Sequence, residues 1–207
     1  MTVRVEETEM DLRLAYRRLS RIAYWVSQIG SPPLTGAAAA LLIGYVLATG
    51  AAWQWAGFYM VATILLPCAY IIWLVRRGQI TDFHLPLREE RIRPLLFSLV
   101  TALVAWGILH RTTVPAPLKL LATVNSLQAL LFFLITLRWK ISLHCAAAAI
   151  LSQLALTFFG VGALPLLMSV PLIAWSRVHL RRHTLAQTVA GACLGSAIVT
   201  PAVLFYL

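Results

Sequence analysis

Carboxylate side chains run out early in this sequence: there are seven in 207 residues, and none follows Glu90. That absence weighs against any chemistry that holds a hard divalent cation between paired Asp-rich motifs, as membrane prenyltransferases and phosphatidyl-alcohol transferases do. Asp82, Glu89 and Glu90 share a single loop. Cysteine is as sparse, and Cys68, Cys145 and Cys193 are too scattered for a metal-ligand pattern, so they read as packing residues. Charged residues of any kind make up only 12% against 60% hydrophobic, with a mean hydropathy of +0.83, a balance that excludes an ordinary water-soluble domain. The polar–apolar alternation that a transmembrane β-barrel needs is missing as well. No leader-like apolar run opens the chain, and the first span is expected to direct insertion itself.

What is present is a series of runs apolar on every face and near the length that crosses a hydrocarbon core. They fall at roughly 34 to 52, 55 to 75, 94 to 110, 117 to 137, 144 to 161, 164 to 180 and 184 to 206. Seven crossings are counted, with six the chief rival, because Pro165 and Pro171 interrupt the sixth run. Ahead of them, an acidic patch (Glu6, Glu7, Glu9, Asp11) passes into DLRLAYRRLSRIAYWVSQIG, where arginines and large apolar residues recur at helical spacing until Ser31, Pro32 and Pro33 break the pattern. The expected fold is an all-α polytopic transmembrane bundle of six to seven spans preceded by an interfacial amphipathic helix. Residues 1–33 form the arm, and residues 34–207 form one helical domain.

The net charge of +10 is explained by cations at the ends of apolar runs, where they anchor helices and meet anionic head groups, so the expected partner is a membrane lipid and not nucleic acid. Seven crossings place the loops 76–93, 138–143 and 181–183 on the same side as the N-terminus. All but Arg111 and Lys119 of the 17 lysines and arginines then lie on that side, which the positive-inside rule makes cytoplasmic. Setting aside Arg88, Arg91, Arg93, Lys140 and Arg177 as candidates for a site leaves the excess intact.

Three basic clusters fall on the shared side: HLPLREERIRP (84–94), RWKISLH (138–144) and SRVHLRRHTLAQTVAG (176–191). A set of Arg, Lys, His and Ser without carboxylate suits the binding of an oxyanion and its transfer to imidazole. In order and spacing the clusters resemble the type 2 phosphatidic acid phosphatase superfamily, the integral-membrane lipid phosphate phosphatases, marked by Lys-x6-Arg-Pro, Pro-Ser-Gly-His and Ser-Arg-x5-His-x3-Asp. Ser176, Arg177 and His183 match the third motif, with Gln187 where the family has Asp. Ser142 and His144 match the second, with Ile141 and Leu143 replacing Pro and Gly. Arg93 and Pro94 match the first, with Pro86 at the position of the family lysine and Arg88 the cation nearest to it.

The resemblance implies a site built from residues 84–94, 138–144 and 176–187, without metal or other cofactor. His183 would form a phosphohistidine and His144 would protonate the departing lipid alkoxide. Arg88, Arg93 and Arg177 would grip the phosphoryl oxygens, with Lys140 a fourth cation and Ser142 a hydroxyl or backbone donor. Gln187, one helical turn beyond His183, would orient the imidazole through its amide oxygen. It lacks the charge of the family Asp, a change that costs about 10⁴ in turnover in serine-protease triads. The expected substrate is a lipid phosphate or prenyl (di)phosphate; the alternative is a noncatalytic protein that binds or carries an anionic lipid. Arg76, Arg77, Arg181 and Arg182 read as topological anchors, His84, His110 and His179 as interfacial or packing residues, and Asn125, Gln128 and Gln153 as interhelical hydrogen-bonding groups.

Overall fold

A computed structural model describes residues 2–83, 85 and 87–207, with side chains from Leu14 onward. The described residues are helical and contain no strand. In chain order the helices are α1 (Thr2–Ile29), α2 (Pro32–Leu47), α3 (Gly50–Met60), α4 (Leu66–Arg76), α5 (Ile92–Arg111), α6 (Ala116–Thr136), α7 (Leu143–Phe159), α8 (Ser169–His179) and α9 (Leu185–Tyr206). His84, expected as an interfacial or packing residue, lies outside the described residues, as do the side chains of the acidic patch.

The boundaries follow local chemistry. Pro32 and Pro33 occupy the first turn of α2, where a missing N–H is harmless. Ala48 ends that helix at φ 51°, and the Thr49 side chain caps α3 by accepting from the Ala52 amide. The run expected at 34 to 52 therefore stops at Leu47, and the next begins at Gly50. A wide π turn, Val61–Leu65, joins α3 to α4 just ahead of Pro67, so the two make one continuous rod from Gly50 to Arg76.

By length and apolarity, five stretches qualify as membrane spans: Gly50–Arg76, Glu89–Arg111, Ala116–Thr136, Leu143–His179 and Leu185–Tyr206. Leu14–Ile29 and Pro32–Leu47, bent by 46° at the break, pass the same test together and make a sixth when counted as one broken span. The 37-residue stretch is not one rod. Gly160, at φ 59°, closes α7, and the 3-10 turns of Gly160–Met168 bring the chain back, so that Ser152 Oγ donates to the Leu166 carbonyl at 3.0 Å. Pro165 sits in those turns, where the α-helical hydrogen bond it would break is not formed. The fifth and sixth expected runs are thus the two legs of a hairpin.

All three basic clusters meet at one end of the bundle. Arg88 Nη1 donates to the Leu137 carbonyl at 3.3 Å, and the Ser142 amide donates to the Gln187 carbonyl at 3.1 Å. Beneath that end α7 and α9 run parallel in close contact. Gly191 faces the Ser142 carbonyl and Gly195 the Ala146 carbonyl, and a Cβ on Gly195 would fall 2.5 Å from that oxygen. Small residues at the seam let the backbones approach, and Gln153 bonds Ser196 (2.6 Å) and Thr200 (3.3 Å) across it.

The helix expected in the N-terminal arm is present as α1, but its inner half is part of the bundle. Ala23 and Ser27 are buried against α8, Ser20 Oγ lies 3.1 Å from His179 Nε2, and Tyr16 packs on the His179 ring. The outward face of α1 carries Arg17, Arg18 and Arg21 beside Leu19, Ile22 and Trp25.

Candidate functional site

At the basic end a cavity of about 530 Å³ opens between α2, α4, α5, α6 and α7. Arg91, Arg177, His144 and His183 line it there, and the rest of the wall is mostly apolar, with no carboxylate among the described lining residues. Two histidines from distant stretches of chain and two guanidinium groups therefore share one space.

His183 stands in the turn between α8 and α9 and is only 7% exposed. Its amide donates to the Arg177 carbonyl at 3.2 Å, one of two bonds by which the end of α8 folds over, the other coming from Arg182. Burial, then the charges of Arg177, Arg91 and Lys140, hold the imidazole down to about 3, against the opposing effect of its bond to Gln187. The ring is neutral at ordinary pH.

Thr184 and Gln187 form a reciprocal capping box at the start of α9, in which the Thr184 N–H donates to Gln187 Oε1 at 3.2 Å. A backbone N–H can only donate, so that atom is fixed as the amide oxygen. His183 Nδ1 lies 3.1 Å from the same oxygen and must carry the proton. The lone pair is left on Nε2. Gln187 thus reaches His183 as expected, and its second role explains a glutamine here: [ST]-x-x-[EQ] before an apolar run is a helix-start signature readable in the sequence.

Arg177 is 4% exposed, and its Nη1 donates to Ser27 Oγ at 2.6 Å; its Nε is buried with no partner among the described residues. A guanidinium so placed, without a carboxylate, is a donor awaiting an anion. Lys140 follows α6, close enough to Arg91, Arg177 and Arg182 that, after burial, their charges lower its pKa.

Four expected ligands, Lys140 among them, do not line the cavity. Arg88 pairs with Glu89 at 3.1 Å and reaches the Leu137 carbonyl, and exposed Arg93 donates to Gln79 Oε1 at 3.1 Å; neither lines the cavity. Ser142, fully buried, caps α7 by accepting from the Cys145 amide and donates its hydroxyl proton to Cys145 Sγ at 3.3 Å, while its own amide is held by the Gln187 carbonyl, so both of its donors are engaged. The first cluster instead contributes Arg91, whose Nε donates to the Leu85 carbonyl at 2.9 Å. Arg91 precedes Pro94 by three residues and Ser98 by seven, one helix face, and both of those line the cavity. Arg93 shares the face of Phe97, which stacks on Tyr70 of α4.

The polar groups deeper in the bundle divide. Gln153 bridges helices as expected, whereas Asn125 and Gln128 line the cavity and make no hydrogen bond among the described residues. His110 is a packing residue, tied to Tyr206 at 2.7 Å and to the Trp106 carbonyl at 2.9 Å.

Fold and composition together define an integral-membrane, all-α protein whose basic cavity opens at one end of a helical bundle. No protein-family model, curated protein or solved structure matches the chain.

Proposed function

We propose that this protein is a metal-independent membrane phosphatase acting on a lipid phosphate or prenyl (di)phosphate through a phosphohistidine. The observation that carries the reading is the sharing of one cavity by His183, His144, Arg91 and Arg177 without a carboxylate. A phosphate dianion finds positive charge there, and a hydrocarbon tail finds the apolar wall behind it. The Ser-x-His and Ser-Arg-x5-His spacings, and the resemblance they carry, support the same reading.

In the reaction, His183 Nε2 attacks phosphorus while the bond to the lipid oxygen breaks, and protonated His144 gives its proton to the departing alkoxide. Water then attacks the phosphohistidine with neutral His144 taking its proton. The P–N bond breaks, orthophosphate leaves, and His183 is again neutral. Arg177 and Arg91, with Lys140 nearby, hold the charge of the equatorial oxygens, and Gln187 keeps the proton on Nδ1.

The test is phosphate release from phosphatidic acid and farnesyl diphosphate by purified protein in EDTA. Release that disappears in His183→Ala and His144→Ala is expected, and release unchanged in either variant overturns the mechanism. One observation favours a second reading, a noncatalytic carrier of anionic lipids: Gln187 is neutral and already engaged in capping the helix. Tight binding of both lipids with no release would establish the carrier. The site is also proposed to face the cytoplasm, on the excess of lysine and arginine at its end of the bundle; labelling of a cysteine in loop 76–93 only from outside the cell would reverse that orientation.

A further inference from the structure

Past its basic end the cavity continues along α6, where Thr136, Phe132, Gln128, Asn125 and Leu121 line it in turn. Helical rise sets Gln128 about 12 Å and Asn125 about 16 Å deeper than Thr136, well inside a hydrocarbon core about 30 Å thick. At that depth an amide needs a partner, and neither of these has one among the described residues. Three of the hydroxyls that share the wall are satisfied within their own helices: Ser98 donates to the Pro94 carbonyl, Thr63 to that of Tyr59 and Thr35 to that of Ser31. The two carboxamides are left facing whatever fills the chamber.

A plain hydrocarbon tail would leave them desolvated and unpaired. Each carboxamide offers a donor and an acceptor, and residues three apart on a helix present them side by side. The complement of such a pair is a group that both donates and accepts, which is a hydroxyl; an ether or carbonyl would engage only the NH₂ groups. We propose that the cavity selects an amphiphilic phosphate whose tail carries a hydroxyl about 12–16 Å below the head group, bracketed by Asn125 and Gln128. This rests on the head-group site proposed above.

The probes are dodecyl phosphate and 12-hydroxydodecyl phosphate, with dissociation constants measured on the detergent-solubilised full-length protein, wild type against the Asn125→Leu/Gln128→Leu double variant. The ratio of the two affinities is expected to shift by about tenfold toward the plain chain in the variant, the size of one ordinary hydrogen bond. Gln128→Met, closer in shape, is the second variant should the double one fail to fold, and is expected to shift the ratio in the same direction. Both phosphates binding with an unchanged ratio in wild type and variants would overturn this inference alone and assign the amides to water. Neither phosphate binding would overturn the head-group reading and this inference with it.

Discussion

Replacing His183 by glutamine removes a buried imidazole that the fold keeps neutral, and the consequence is read in the pH dependence of stability. In the folded protein the ring takes up its proton only near pH 3; in the unfolded chain it does so near the ordinary 6.5. Between those values the unfolded chain holds the extra proton, so the balance moves against folding as pH falls through 6.5, and the penalty stops growing below 3. For one such site the loss between pH 7 and pH 5 is about 2 kcal/mol, a few degrees in melting temperature. The assay is thermal unfolding of the detergent-solubilised protein followed by tryptophan fluorescence at both pH values. Wild type should lose several degrees more than His183→Gln, because every other group is common to both proteins. Equal losses would refute the claim that burial and the charges of Arg177, Arg91 and Lys140 hold this ring neutral. Inorganic phosphate at saturation should shrink the difference, since a bound anion raises the folded-state pKa.

The remaining predictions bear on the site and its support. Arg91→Ala should lower phosphate release by tenfold or more, while Arg88→Ala and Arg93→Ala stay within about threefold; the reverse order would restore the family's first motif at the expense of the observed geometry. Ser27→Ala removes the hydroxyl that accepts from Arg177 Nη1 and should destabilise the protein by about 1–3 kcal/mol, seen as a lowered melting temperature. Gly195→Val forces a branched side chain against the Ala146 carbonyl and should destabilise by at least 1–3 kcal/mol, with an unchanged melting temperature contradicting the tight α7–α9 seam.

The bundle was legible because apolar runs, prolines and charged loops are local signals. Pro32, Pro33, Gly160 and the Thr184–Gln187 capping pair stand at or beside the breaks they imply. Less legible was which way a side chain points. Arg93 satisfied a spacing rule, yet on α5 it shares the face that packs on α4, whereas Arg91 shares the face of Pro94 and Ser98 that lines the cavity. Ser142 fitted a motif position, but a serine just before an apolar helix is first an N-cap, and its hydroxyl and amide are both engaged by neighbouring backbone. The partnership of Ser27 with Arg177 joins residues 150 apart, and no periodicity reports such a contact. Asn125 and Gln128 resembled Gln153 in the sequence; only the presence of a cavity on one side of α6 and a helix beside α7 separates them.

Because α7 and α9 travel in the same direction, the chain must cross back between them, and it does so through the Gly160–Met168 turns at the end remote from the histidines. The spacing of the two imidazoles is set where the backbones touch, near Ser142 and Gly191, and not by the length of that return. The far turn lends no residue to the cavity, although α8, which follows it, carries Arg177 back to the basic end. A change of length there would reach the proposed site only through the register of α8 and the hold of Ser27 on Arg177.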